Sequence, residues 1–257
     1  MSYKTIQSFF SDALHLQVST GFLVKQVDKV SEAVKPAYNK LVEKLPNASH
    51  LHIDETGNKE NGENRWTWCF RGKDEIVFHI AHSRSSAVLE KILDKDYSGI
   101  ISSDFHSVYK KFKRISKARL QLCWAHLIRE VKFIAEKSNK EVSSWGKSLL
   151  DQIRKMFRSY HRYNDMSVRN WQRKMYSCKE SILTVALCHA PAHKMAQSFS
   201  ARFQGWHEEY FRFIEEGIPP TNNLCEQSLR PVVIDRKITQ GTRSDWGNRW
   251  SERIWTV

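Results

Sequence analysis

Between residues 49 and 124 the apolar residues change from helical to strand spacing, and the order of elements that follows leaves few folds open. Trp66, Trp68 and Phe70 alternate with Thr67 and Cys69. After Gly72-Lys73, Ile76, Phe78 and Ile80 alternate with Val77, His79 and Ala81. A period of two marks strands, and the Gly-Lys break marks a hairpin between them. The run His50-Leu51-His52-Ile53 precedes this pair as a further strand. Helical spacing returns with Val88, Leu89, Ile92 and Leu93 behind a cap at Ser85 or Ser86. A strand over 99–103, a short helix over 108–112 and a strand over 119–123 follow. Three strands in meander, then helix, strand, helix and strand, predict a mixed α/β sheet with helices packed on it.

The flanks read as helical. Ile6, Phe9, Phe10 and Leu14 form one stripe, and Leu23, Val27, Val30 and Val34 form a second behind Ser19 or Thr20. Pro36 is expected to break or kink that second helix, with Tyr38, Leu41 and Leu45 continuing the stripe. The two helices around 16–21 resemble a helix-turn-helix; a lead-in that packs on the sheet is the favoured reading. Residues 125–218 carry helical stripes throughout, from Leu127, Val131 and Ile134 to Met195, Phe199 and Phe203. Pro219-Pro220 stops the chain, and Asn222 or Asn223 can cap a new helix. The predicted organisation is therefore a helical lead-in over 1–48, the first part of a core over 49–126, an all-helical insertion over 127–218, and completion of the core over 219–257.

Two aspartates sit at the ends of short apolar runs, Asp54 after His50–Ile53 and Asp104 after Gly99–Ser103, and Glu226 opens the late helix. Acids at the ends of adjacent strands repel each other unless a cation lies between them. Oxygen-rich settings of this kind suit Mg²⁺, and a pair of such ions can clamp both oxygens of a phosphoryl transfer. Each acid also has a structural explanation. Asp54 can be a turn residue and Asp104 a helix cap. Glu226 can close a capping box with Asn223 or pair with Arg230. Taken in order, an Asp on the first strand, an Asp on the fourth and a Glu on a late helix match a ribonuclease H-like nuclease core.

Charge agrees with a polyanionic partner. The 257 residues include 41 basic and 28 acidic groups, for a formal net charge of +13. Lys110, Lys111, Lys113 and Arg114 lie in a stretch with no acid, and residues 127–218 hold a basic surplus. No run approaches a membrane span. Five scattered cysteines, at 69, 123, 178, 188 and 225, fit reduced thiols in a cytoplasm better than a disulfide framework. Cys123 and His126 suggest zinc, but two ligands do not make a site. Packing near the active centre for Cys123 and Trp124, with His126 positioning DNA or a carboxylate, is the preferred reading.

These blocks together resemble the transposases of the insertion sequence 66 family. The resemblance rests on Asp54-Glu55-Thr56-Gly57, on Ser103-Asp104 followed by Tyr109, and on Gln121-Leu122-Cys123-Trp124-Ala125-His126-Leu127-Ile128-Arg129. It is completed by Asn222-Asn223-x-x-Glu226 with Leu229-Arg230-Pro231 and Arg236-Lys237. It implies a ribonuclease H-like catalytic domain in which Asp54, Asp104 and Glu226 hold two Mg²⁺ or Mn²⁺ ions. The implied reaction cuts element ends and joins them to target DNA. Lys110, Lys111, Lys113, Arg114, Arg230, Arg236 and Lys237 would contact DNA, with Cys123, Trp124, His126, Asn222 and Asn223 in support. The resemblance further implies a homo-oligomer on DNA, in a bacterial cytoplasm at the nucleoid, with no membrane role. The sequence departs from the family at Phe105-His106, where Gly-Tyr is usual, and at Cys225-Glu226-Gln227, where Ala-Glu-Arg is usual. Relatives are longer at both ends and carry an N-terminal zinc-binding and DNA-recognition region. Large apolar groups over 249–255 are accordingly expected to lie exposed. Two other readings are a ribonuclease H-like nuclease without strand transfer and a catalytically dead DNA-binding remnant.

Overall fold

The meander is continuous through its first acid. In the computed structural model, which describes residues 2–257, β1 spans His50–Glu60, β2 Glu63–Arg71 and β3 Ile76–Ala81. Asp54 therefore lies within β1 and does not end it, a correction to the sequence expectation. The run Glu55-Thr56-Gly57 stays extended because Glu55 is buried and paired with Arg84, whose guanidinium lies 5.1 Å from the Trp66 ring centre. Asn61 and Gly62 turn β1 into β2 with positive φ of 49° and 87°. That is the Asn-Gly conformation favoured in two-residue hairpins. β2 and β3 pair antiparallel from Trp66↔Ala81 to Arg71↔Ile76, as the alternation predicted.

The remaining strands are β4, Ile100–Ser103, and β5, Arg119–Leu122. β1 pairs parallel with β4 in the register His50↔Ile100, Leu51↔Ile101 and His52↔Ser102, and β4 pairs parallel with β5. The sheet order is β3-β2-β1-β4-β5. Five strands, antiparallel at one side and parallel at the other, with flanking helices, make the mixed sheet expected from the element order.

Helices α1 (Tyr3–Leu14) and α2 (Thr20–Lys44) precede the sheet, capped by the side chains of Ser2 and Ser19. α2 runs through Pro36 without ending. Pro36 cannot donate to the preceding turn. One residue before the Glu32 carbonyl that loses its donor, the Arg253 side chain donates to the carbonyl and hydroxyl of Ser31, at 3.1 and 2.8 Å. α3 (Ser86–Leu93) leads to β4, and α4 (Ser107–Ile115) joins β4 to β5. After β5 the order is α5 (Trp124–Ala135), α6 (Lys140–Tyr160), α7 (Val168–Leu183), α8 (Lys194–Phe211) and α9 (Phe213–Glu216). α8 is kinked at Trp206, next to Gly205. α10 (Asn223–Thr239) and α11 (Asp245–Thr256) close the chain. Among the described residues no helix is long and apolar enough to cross a membrane.

The chain divides into two compact units. One comprises the residues up to Ala48, Glu55–Asp94 and Gln227–Val257; the other comprises Ser49–Asp54 and Lys95–Glu226. In the first, α11 packs on β3 and α2. Its buried face is polar: Glu252 accepts from the Ile80 amide at 2.6 Å and lies 2.9 Å from His79 Nδ1, while Arg253 holds Ser31. The aromatic patch expected over 249–255 is thus only partly exposed, since Trp250 and Trp255 are half-buried while Ile254 is open. Gly241, at φ 98°, lies against the Lys59 carbonyl, where an added Cβ would come within 2.2 Å. This close approach lets Thr242 bridge to Glu60. In the second unit, Trp124 is fully buried among Phe157, Phe203, Tyr210 and Phe211, and its indole N–H donates to the Tyr210 carbonyl at 2.5 Å. Trp124 is therefore a core anchor, in line with its expected packing role.

Candidate active site

The register of β1 and β4 decides where the two aspartates stand. The parallel pairing runs to His52↔Ser102, so each aspartate follows two residues beyond the last pair, Asp54 still within β1 and Asp104 just past the end of β4. β4 has ended by then, and Asp104 opens the loop into α4, where its Oδ1 accepts the His106 amide at 2.9 Å. His106 in turn caps α4 by accepting from the Val108 amide. The cap of α4 is therefore His106 and not Asp104, which instead shapes the turn before it.

Asn222 brings the start of α10 to the same edge. It is fully buried; its Nδ2 donates to the Ile53 carbonyl at 2.9 Å, and its Oδ1 lies 3.0 Å from His52 Nδ1. Its amide donates to Cys123 Sγ at 3.1 Å, and Trp124 N donates to the Pro220 carbonyl at 3.0 Å. One asparagine therefore ties the residue before Asp54, the end of β5 and the beginning of α10 together. Asn223 is the first residue of α10 and is exposed. Glu226 follows one turn on, its amide donating to the Asn222 carbonyl at 3.2 Å.

Glu226 does not close a capping box. Its Oε1 accepts from Arg129 Nη2 at 3.2 Å and lies 3.5 Å from His126 Nδ1, without hydrogen-bond geometry to that nitrogen. The Cys123 thiol is close by. Among the described residues, Cys123, His126 and Glu226 form a group whose potential ligand atoms all lie within 4.8 Å of one another. Spacing within the chain offered two ligands; the fold supplies a third from about a hundred residues further along. Burial pushes the Cys123 thiol above its ordinary range, against the opposing pull of the Asn222, His126 and Ala125 amides.

Beneath the edge, His50 and His52 lie with ring centres 4.5 Å apart, and His50 Nε2 is 2.8 Å from Ser102 Oγ. Burial, and then the neighbouring His52, hold His50 down to about 4. It stays neutral through the physiological range.

The basic residues take several roles. Lys111 and Arg114 are exposed on α4. Lys110 Nζ sits 3.8 Å from the Phe105 ring centre, and its pKa is lowered first by burial and then by Arg114 and Arg202. Lys113 is paired with the buried Glu209 and lies 5.2 Å from the Trp206 ring. Arg230 and Lys237 are exposed, whereas Arg236 donates to Thr56 Oγ1 at 3.0 Å and to the Gly57 carbonyl, fastening β1 just past Asp54. Phe105 stacks on Tyr210 and meets Trp206 edge to face, with Arg202 4.9 Å above its ring. It thereby forms one wall of a cavity of about 690 Å³, shared with Phe133, Phe199 and Arg202. Sequence reasoning missed Arg202, Glu209 and this aromatic cage, and their only signal was helical spacing. Arg129 and His52 stood inside the quoted motifs without a distinguishing feature of their own.

A family model described as the transposase IS66 family matches residues 1–249. No curated protein matches the chain.

Proposed function

The chain belongs to the IS66 transposase family, and from that premise we propose that it is the ribonuclease H-like catalytic domain of a DNA transposase, with Asp54, Asp104 and Glu226 as its acids. The observation that supports this reading is the parallel β1–β4 pairing through His52↔Ser102, two residues before each aspartate, with Asn222 fastening the start of α10 to the residue before Asp54. The strand order β3-β2-β1-β4-β5, antiparallel then parallel, supports the fold assignment. The helices α5–α9 then form the insertion before the last catalytic helix.

The donor set fits hard divalent ions. Carboxylate oxygens on a sheet edge suit Mg²⁺ or Mn²⁺. A bound pair supplies Lewis acidity at the attacking and leaving oxygens of the scissile phosphate. The protein's own residues hold the acids in place. His52 and Asn222 hold β1 just before Asp54, and Arg236 secures the strand beyond it. Arg129 orients the Glu226 carboxylate. Lys111 and Arg114 offer exposed cations to DNA phosphates, which position a duplex without reading its sequence. Arg230 and Lys237 add charge along α10, and cutting with rejoining is the reaction this assembly serves.

The decisive assay is cleavage of DNA carrying candidate element ends with Mg²⁺ or Mn²⁺. Asp54→Asn and Asp104→Asn are expected to remove cleavage while leaving circular dichroism unchanged. Cleavage retained in either variant takes that residue out of the mechanism. Cleavage without joining in the presence of target DNA would favour a nuclease.

A further inference from the structure

We propose that Cys123, His126 and Glu226 form a binding site for a thiophilic divalent transition ion, with Zn²⁺ the best fit. The three ligand atoms lie within 4.8 Å of one another. Tetrahedral zinc, with Zn–N and Zn–O bonds near 2.0–2.2 Å and Zn–S near 2.3 Å, needs ligand atoms roughly 3.3–3.6 Å apart. His126 Nδ1 and Glu226 Oε1, at 3.5 Å, already stand at that spacing. Small side-chain rotations bring in the sulfur. Three protein ligands and a water complete the coordination.

Three details point to a cation here. His126 Nδ1 is shielded from solvent and makes no hydrogen bond, although a carboxylate oxygen stands 3.5 Å away. A shielded ring nitrogen without a hydrogen bond, with a carboxylate oxygen at ligand spacing, is satisfied by a cation held between the two. Cys123 Sγ, at the start of α5, accepts the Asn222 amide at 3.1 Å. An N–H donor on the sulfur suits a metal thiolate, whose excess charge it shares. Finally, Arg129 donates to Glu226 from outside the trio, the outer-sphere bond that orients a ligating carboxylate. The thiolate and carboxylate together neutralise a divalent ion. Burial disfavours the free thiolate, so ion binding must release the Cys123 proton to solvent.

The site draws on a ligand that the proposed catalytic centre also needs. Where that reading holds, a thiophilic ion held by Glu226 takes the third acid from the Mg²⁺ pair, so the two loaded states exclude each other. Binding itself does not depend on the catalytic reading, and the test uses no DNA.

The test is a Co²⁺ titration of the metal-free 257-residue chain, followed by near-ultraviolet absorption. The expected result is a thiolate-to-cobalt charge-transfer band that saturates at one equivalent and is displaced by Zn²⁺. Cys123→Ser should abolish the band. Glu226→Gln, at a half-exposed position that the fold tolerates, should weaken Co²⁺ binding by about 10-fold or more. Asp54→Asn and Cys188→Ser, the latter removing an exposed thiol next to His189, should leave the band intact. No charge-transfer band, or one that survives Cys123→Ser, or affinity unchanged in Glu226→Gln, would overturn the proposal.

Discussion

His50 shows how one buried ring sets a pH dependence. Its folded pKa is near 4 against an ordinary 6.5, chiefly because burial penalises the charged ring. Between those values the unfolded chain takes up a proton that the folded chain refuses, so stability falls as pH drops from about 6.5 towards 4. Above 6.5 both states are neutral and this contribution is constant. His50→Gln keeps a polar partner for Ser102 and removes the titration. Its urea midpoint should lose less between pH 6.5 and 4 than that of the parent chain, and identical slopes would assign the loss to other groups. At this scale the candidate site was legible only in part. Asp54 and Asp104 stood out because they follow short apolar runs, and Glu226 because it opens the late helix. His126 was read as a residue that positions DNA or a carboxylate, but Arg129 was not, and only folding brings either within reach of Glu226 on another helix.

At the scale of elements, α4 and the α5–α6 pair give opposite kinds of test. The sequence presents α4 as one basic face, and the fold divides it. Lys111 and Arg114 are exposed, while Lys113 is paired with Glu209 and Lys110 rests on Phe105. Each duplex phosphate that a side chain no longer neutralises reduces the log-log salt slope by about 0.9. Lys111→Ala and Arg114→Ala should each approach that change in fluorescence-anisotropy titrations, and Lys113→Ala should fall well short of it. Equal effects would show that the Glu209 pair opens on DNA. α6 meets α5 at Gly146, where an added Cβ would come 2.8 Å from the Ala135 amide nitrogen and 2.9 Å from Ile134 Cγ2. Gly146→Ala should therefore cost about 1–3 kcal/mol in urea unfolding despite alanine's better helix propensity. A gain in stability would mean the helices separate freely. Elements with strong local pattern, such as the β2–β3 hairpin and α6, could be read from the chain. β1 could not be read in full. Asp54-Glu55-Thr56-Gly57 has a single strand former, Thr56, and it is held by Arg84 and Arg236 reaching it from distant positions. α2 runs on through Pro36 and is held to α11 by Arg253 bonding Ser31, a contact that no local pattern announces.

For the whole molecule, the net charge of +13 was available from composition, and it favours the DNA partner that family membership implies. The assembly of the site was not available there, because it depends on distance along the chain. His52 and Asn222 are 170 positions apart. Closing so long a loop comes late in folding, after local helices and the hairpin have formed. In refolding from urea, far-ultraviolet circular dichroism should recover before the Asn222 amide gains protection from hydrogen exchange; simultaneous recovery would mean that the site forms with the core. The same separation acts during synthesis. At about 5–20 residues per second, Asn222 leaves the ribosome roughly ten to thirty seconds after His52. During that interval the growing chain carries both aspartates but neither the asparagine that docks the last acid nor the acid itself. A chain built this way is made unarmed, and the proposed site can close only after Asn222 and Glu226 have emerged.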